Sequence, residues 1–183
     1  MTLRKIRWGL WILVAIAASL FALFYIQLQR PRDATADFVK SAMVGKPVPA
    51  FELPQAVPSN PALSSADLAD GKPKLLNIFA SWCIPCRAEA EQLEAMRNQG
   101  AEIVGVAIRD KPEDIAQFLE TYGNPYSRIG RDDISQVQLS IGSSGVPETF
   151  VIDGTGRITY QHIGDVMARD VPVLMAELRK AGA

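Results

Sequence analysis

The chain has 183 residues, a formal net charge of −1, 48% hydrophobic and 21% charged side chains, a composition that fits one globular domain with an appendage and excludes a disordered chain or a nucleic-acid binder built on a basic surface. Its charge is uneven: residues 1–33 hold Arg4, Lys5, Arg7, Arg30 and Arg32 against Asp33, which leaves 14 basic and 19 acidic side chains in the remainder. Two cysteines, Cys83 and Cys86, are too few for a disulfide-stapled miniprotein or a self-contained zinc site, so if they act they act as a pair.

From Trp8 to Gln29 no residue is charged, and as far as Ile26 only Ser19 is clearly polar. At about 1.5 Å per residue such a run spans roughly 33 Å as a helix, enough for a hydrocarbon core of about 30 Å. Trp8, Trp11 and Tyr25 stand near its ends as interfacial aromatics do, and Arg4, Lys5 and Arg7 before it favour a cytoplasmic N-terminus. Residues 1–7 are therefore read as cytoplasmic, 8–29 as a transmembrane anchor and 30–44 as a tether. Ala34-Thr35-Ala36 resembles a signal-peptide cleavage site, but the apolar run exceeds the usual length of such signals and Pro31 with two arginines separates it from that triplet, so the anchor is expected to stay. Either way the remainder is exported, and for a bacterial chain the inner membrane would hold the anchor and the periplasm, an oxidising compartment, the body.

Residues 45–183 are read as one domain. Leu75–Ala80 is a short apolar run suited to a strand covered on both faces. Cys83–Asn98 is rich in helix formers and stops at Gly100. Glu102–Ile108 is rich in β-branched residues and reads as a second strand. Asp110, with Glu113 three residues on, reads as the N-cap of a helix to Tyr122. A helical turn over Ile134–Leu139, a hairpin of Glu148–Ile152 with Arg157–Ile163, and a last helix from Asp170 to Lys180 complete the order. Strand, helix, strand, helix, hairpin, helix requires one parallel pair by crossover, helices on the sheet faces and antiparallel strands after it.

A strand that ends just before Trp82-Cys83-Ile84-Pro85-Cys86, with a helix starting on it, places Cys83 at a helix N-terminus. Unpaired N–H groups and the positive dipole end there favour thiolate, so Cys83 is the expected nucleophile, exposed and of lowered pKa. Cys86, a turn further in and covered, is the expected resolving thiol. Pro85 occupies an early helical position that has no N–H bond to lose. His162 is the sole histidine and Arg87 follows the second cysteine, which removes zinc and haem attachment as readings. Gly145-Val146-Pro147-Glu148-Thr149-Phe150 puts a proline directly before a hairpin strand, a natural place for a cis X–Pro bond.

These stretches, with the Gly45–Pro54 entry, resemble the membrane-anchored, thioredoxin-like thiol:disulfide interchange proteins of cytochrome c maturation, over about Gly45 to the C-terminus. The resemblance implies a thioredoxin-like α/β fold, a central mixed sheet flanked by helices, in which Pro147 is cis, faces the cysteines, and with Val146 contacts substrate. It implies a periplasmic reductant without cofactor or metal that keeps the haem-binding cysteines of apocytochrome c reduced. The partners would be apocytochrome c or a thiol protein of that machinery, a membrane disulfide-reducing electron donor and inner-membrane lipid. Trp82 and Pro85 would shield the thiols and meet substrate.

One departure from thioredoxin matters. Where thioredoxin keeps a buried Asp as proton acceptor, this chain has Asn77, so Glu89 and Glu148 become the candidates for that role, with Glu148 preferred. His162 is read as structural. Related anchored thioredoxins serve copper delivery to oxidase, and the Pro-Glu-Thr-Phe segment with Tyr160-Gln161-His162 favours the cytochrome c branch. Cu(I) binding by the same two thiols, and a non-catalytic assembly role, stand as the alternative readings.

Overall fold

The computed structural model describes residues 3–29 and 42–183. The chain divides into two compact units, Met1–Val39 and Lys40–Ala183. The first holds α1, Leu3–Gln29, where the sequence predicts the anchor. The described side chains at 11–25 are all exposed. Among the described residues no helix is long and apolar enough to cross a membrane. The Arg4–Lys5 cluster, the tether from Arg30 and the Ala34-Thr35-Ala36 triplet fall outside the described side chains.

The second unit opens with β1, Glu52–Leu53, paired antiparallel to β2, Leu63–Ser64, and a 3₁₀ turn at Ser65–Leu68. A five-stranded sheet follows in the order β5-β4-β3-β6-β7. Its strands are β3 (Lys74–Phe79), β4 (Ile103–Ile108), β5 (Arg128–Asp132), β6 (Glu148–Ile152) and β7 (Ile158–Ile163). β3 pairs parallel with β4 and β4 with β5, whereas β6 runs antiparallel to both β3 and β7. The connecting helices are α2 (Ile84–Asn98), α3 (Pro112–Tyr122), α4 (Gln136–Ser140) and α5 (Val171–Ala181).

β3 lies at the centre with all six residues buried, as a strand covered on both faces must be. Its one charged residue, Lys74, is 1% exposed and forms ion pairs with Asp70 and Glu102, the condition on which a buried ammonium is tolerated. The core gathers Leu75, Ile78 and Phe79 of this strand with Val104 and Val106 of β4, Phe150 and Ile152 of β6, and Leu93 and Met96 of α2.

Two expectations change. Lys111, not Asp110, caps α3, and it makes no side-chain cap bond; the Asp110 carboxylate is spent on Ser81 and on the Lys111 N–H instead. A strand stands at Arg128–Asp132 where none is expected, because Arg-Ile-Gly-Arg-Asp has neither alternation nor β-branched density. Its pairing comes from β4 on one side and the β1–β2 ribbon on the other, through the Ala56 N–H to the Ile129 carbonyl and the Arg131 N–H to the Pro54 carbonyl.

Candidate active site

The antiparallel pairing of β3 with β6 brings the end of β3 and the start of β6 side by side, with Ile78 registered against Glu148. The turn after β3 and the loop before β6 therefore meet at one end of the sheet, and the two sequence motifs lie on those two segments. Cys83 and Cys86 are joined in a disulfide with Cα atoms 5.3 Å apart. Cys83 caps α2, its Sγ accepting from the Cys86 N–H at 3.2 Å, and Pro85 sits in the first turn. A sulfur so placed faces the free N–H groups of the helix start, which stabilise a thiolate once the disulfide is opened.

Cys83 is not the exposed residue that its position suggests. In the disulfide it is 4% exposed and Cys86 2%, because the sulfur turns back over the helix start. The exposed apolar surface beside the pair is Trp82, at 53%, and Ile84, at 74%.

The turn that carries Trp82 and Cys83 is gripped from the end of β4. Ser81 donates its N–H and its hydroxyl to the Asp110 carboxylate at 2.6 and 2.8 Å, and Trp82 Nε1 donates to the Arg109 carbonyl at 3.3 Å. Arg109 has a φ of 46° and Ser135 of 59°, a conformation that costs a side-chain-bearing residue about 1 kcal/mol or more. The two are tied by a 2.7 Å bond from Arg109 Nε to Ser135 Oγ. No element of the sequence reading anticipates this brace.

On the β6 side the Val146–Pro147 peptide is cis and Pro147 is buried, with Val146 half-buried against the core. Glu148, 1% exposed, accepts from the Ser144 N–H and hydroxyl and from Gln161 Nε2, at 2.9, 2.7 and 2.7 Å. Its carboxylate thus shapes the loop that leads into the cis bond.

Glu89 lies one turn beyond Cys86 on the buried side of α2, and it is fully buried. Its Oε1 accepts from Asn77 Nδ2 at 2.9 Å and its Oε2 from the Val166 N–H at 3.0 Å. Burial raises its pKa to about 7, the two donors hold it from rising further, and the Asp165 charge adds to the rise. At i and i+3, Cys86 and Glu89 are neighbours on the helix surface. Glu148 belongs to the other sheet face, since Thr149, next to it on β6, is the residue that accepts from Asn77 Nδ2. Of the two acids the sequence nominates, Glu89 is the one whose environment suits it to exchange a proton near neutrality.

His162 is buried, with Nε2 3.2 Å from the Asp165 carbonyl, a packing and loop-holding placement. Among the described residues no group of three or more His, Cys, Asp or Glu could hold a metal ion.

The redoxin family model matches residues 43–178, which includes both motifs. The chain is 42% identical over 147 residues to the thiol:disulfide interchange protein DsbE of Yersinia pestis, covering 80% of this chain and 78% of that one. It is 41% identical over 140 residues to the thiol:disulfide interchange protein HelX of Rhodobacter capsulatus, with 74% and 79% covered. The corresponding values for DsbE of Escherichia coli are 40% over 162 residues, with 86% and 84% covered. Among solved structures, a DsbF homologue from Corynebacterium diphtheriae superposes with a TM-score of 0.59 at 27% identity, covering 72% of this chain and 85% of that one.

Proposed function

The chain belongs to the redoxin family and, within it, to the thiol:disulfide interchange proteins, and from that membership we propose that it is an anchored periplasmic reductant that keeps the haem-binding cysteines of apocytochrome c reduced. The observation that carries the exchange chemistry is the Cys83–Cys86 disulfide capping α2, opposite the cis Val146–Pro147 bond. The substrate reading is supported by the resemblance of the Pro-Glu-Thr-Phe strand entry of this chain to that of the cytochrome c branch, and by similarity to thiol:disulfide interchange proteins over most of both chains.

In the reduced protein the Cys83 thiolate attacks one sulfur of a substrate disulfide, and the other substrate sulfur leaves as thiolate. Cys86 then gives its proton to Glu89 and attacks Cys83 Sγ, which forms the intramolecular disulfide and releases the second substrate thiolate. Two electrons pass from the Cys83–Cys86 pair to the substrate. A membrane disulfide-reducing donor returns them. Glu89 suits the acceptor role because burial holds its proton affinity near that needed at neutral pH. Trp82, Ile84 and Pro85 offer the exposed apolar surface beside the sulfurs, and Val146 with Pro147 the segment that would lie against the substrate chain.

The 8–29 segment is the anchor in this reading, with the cytoplasm at its N-terminal side and the periplasm beyond it. Its support is the uncharged run and the helix Leu3–Gln29.

The experiment is to express the full chain as Cys86→Ser, which retains the attacking thiol and lacks the resolving one, and to sequence what is disulfide-linked to Cys83. Apocytochrome c, or a thiol protein that hands it over, is the expected adduct. Adducts confined to copper-site proteins would instead support delivery of copper to oxidase.

A further inference from the structure

Asn77 is fully buried in the middle of the central strand, where an amide group with no partner would be destabilising. Every polar atom of it is engaged. Tyr126 donates its hydroxyl to Asn77 Oδ1 at 2.8 Å, and Asn77 Nδ2 donates to Glu89 Oε1 at 2.9 Å and to Thr149 Oγ1 at 3.1 Å. We propose that Tyr126 and Asn77 are positioning residues for Glu89: the Tyr126 hydroxyl fixes which way the Asn77 amide faces, and the amide so fixed presents an N–H to the Glu89 carboxylate. The inference rests on the reading of Glu89 as proton acceptor and adds the residues that tune it.

An amide has two orientations of nearly equal shape and opposite electrostatics. With Nδ2 towards Glu89 it stabilises the ionised carboxylate; with Oδ1 there it accepts from, and so stabilises, the protonated acid. Tyr126 breaks the tie. In the reversed orientation its hydroxyl proton would lose the Asn77 carbonyl in a fully covered site, whereas in the observed one every donor is met.

The tyrosine is itself held. Its ring stacks on Phe79 with centroids 4.8 Å apart, and its carbonyl accepts from Asn60 Nδ2 at 2.7 Å. It reaches Asn77 across β4 at the one point where that strand has no side chain. Gly105 is the register partner of Asn77, and a Cβ there would lie 2.9 Å from Phe79 Cε1 and 3.1 Å from Tyr126 Cδ1.

The titratable and charged groups around Glu89 come from each neighbouring element. Asp165 lies in the segment after β7, Tyr126 in the segment before β5, and Cys86 on α2. His162 stands on the same sheet row, through the register Asn77–Thr149–His162. Among the described residues, Asn77 and the Val166 N–H are the donors to the carboxylate.

The test is the proton titration of Glu89 in the oxidised full chain in detergent micelles, where no thiol titrates, read from the carbon-13 shift of its side-chain carboxyl and assigned by its loss in Glu89→Gln. Tyr126→Phe keeps the ring on Phe79 and removes the hydroxyl, so a packing role alone predicts no change. The expected result is a midpoint raised by roughly half a pH unit or more, a threefold gain in proton affinity. Asn77→Leu, which removes the donor outright, should raise it at least as far, and it decides the matter if Tyr126→Phe does not fold. A midpoint unchanged or lowered in the folded variants overturns the proposal. The acceptor reading is tested apart from it, by whether Glu89→Gln abolishes the inflection near pH 7 in the rate of mixed-disulfide resolution. Loss of that reading would leave the effect of Tyr126 on the Glu89 titration standing.

Discussion

Between pH 4.5 and about 7 the folded protein holds a proton on Glu89 that an unfolded chain has released. The folded state therefore binds more protons across that interval, and stability falls as pH rises through it, by up to roughly 3 kcal/mol from this residue. Asp67, Asp70 and Asp153 are lowered from 3.8 and act in the opposite sense, losing their contribution only as pH falls through the acid range. Denaturant titrations of the oxidised protein at pH 5 and pH 8 should show lower stability at pH 8. Glu89→Gln should remove most of that difference; an equal slope in the variant would contradict the assignment. Between the two cysteines, iodoacetamide near pH 6 on freshly reduced protein should label Cys83 first, since its sulfur faces the helix start and Cys86 lies deeper. Preferential labelling of Cys86 would reverse the roles. Glu148 is a different case from Glu89. Its three donors point at carboxylate oxygens, so Glu148→Gln turns an amide N–H towards one of them, and a loss of about 1–3 kcal/mol in unfolding free energy is expected.

At the scale of elements, a close fit lies at Gly105, where Phe79 and Tyr126 fill the space above β4. Gly105→Ala must displace one of them and is expected to destabilise the domain by roughly 1–3 kcal/mol in a urea melt; a neutral result would mean that both rings yield freely. That glycine illustrates what the sequence could and could not disclose. Leu75–Ala80, Glu102–Ile108 and the hairpin were legible because a buried strand writes itself in local composition, and α2 because Cys83 to Asn98 contains its own start and stop. β5 was not, since Arg128–Asp132 owes its conformation to neighbours on both sides rather than to its own residues. The cysteine pair and the cis-proline segment were legible as motifs. The contest between Glu89 and Glu148 was not, because it turns on which sheet face and which donors each carboxylate meets. Asn77 showed only as the absence of an acid; that it is the link between Tyr126 and Glu89 depends on a residue 49 positions away.

For the whole molecule, the direction of electron flow is set by how well the reduced site keeps its thiolate. One helix start and one N–H face the Cys83 sulfur, while the nearest cation on α2, Arg87, turns its guanidinium to the Ser81 carbonyl and the Tyr122 ring. With no cation hydrogen-bonded to Cys83 among the described residues, equilibration with glutathione should give a potential nearer the reducing value of about −270 mV than the oxidising one of about −120 mV, and a result above roughly −170 mV would refute this. Mass analysis of the protein from membranes should find the residues before Asp37 still attached; a mature N-terminus at Asp37 would show the anchor to be a removed signal.

The central strand has a consequence for how partners tell the two redox states apart. β3 ends four residues before Cys83, is hydrogen-bonded on both edges, and is pinned at its far end by the enclosed Lys74 with its two carboxylates. Amides of such a core strand are expected to open only on global unfolding, so a change at the disulfide should stay local rather than pass through the sheet. Deuterium uptake by β3 should track the overall unfolding free energy alike in the oxidised and reduced protein, with differences confined to residues near 81–90 and 144–147. A partner would then distinguish full from spent carriers only by touching the sulfurs and their immediate rim, so recognition and reaction occur in the same encounter.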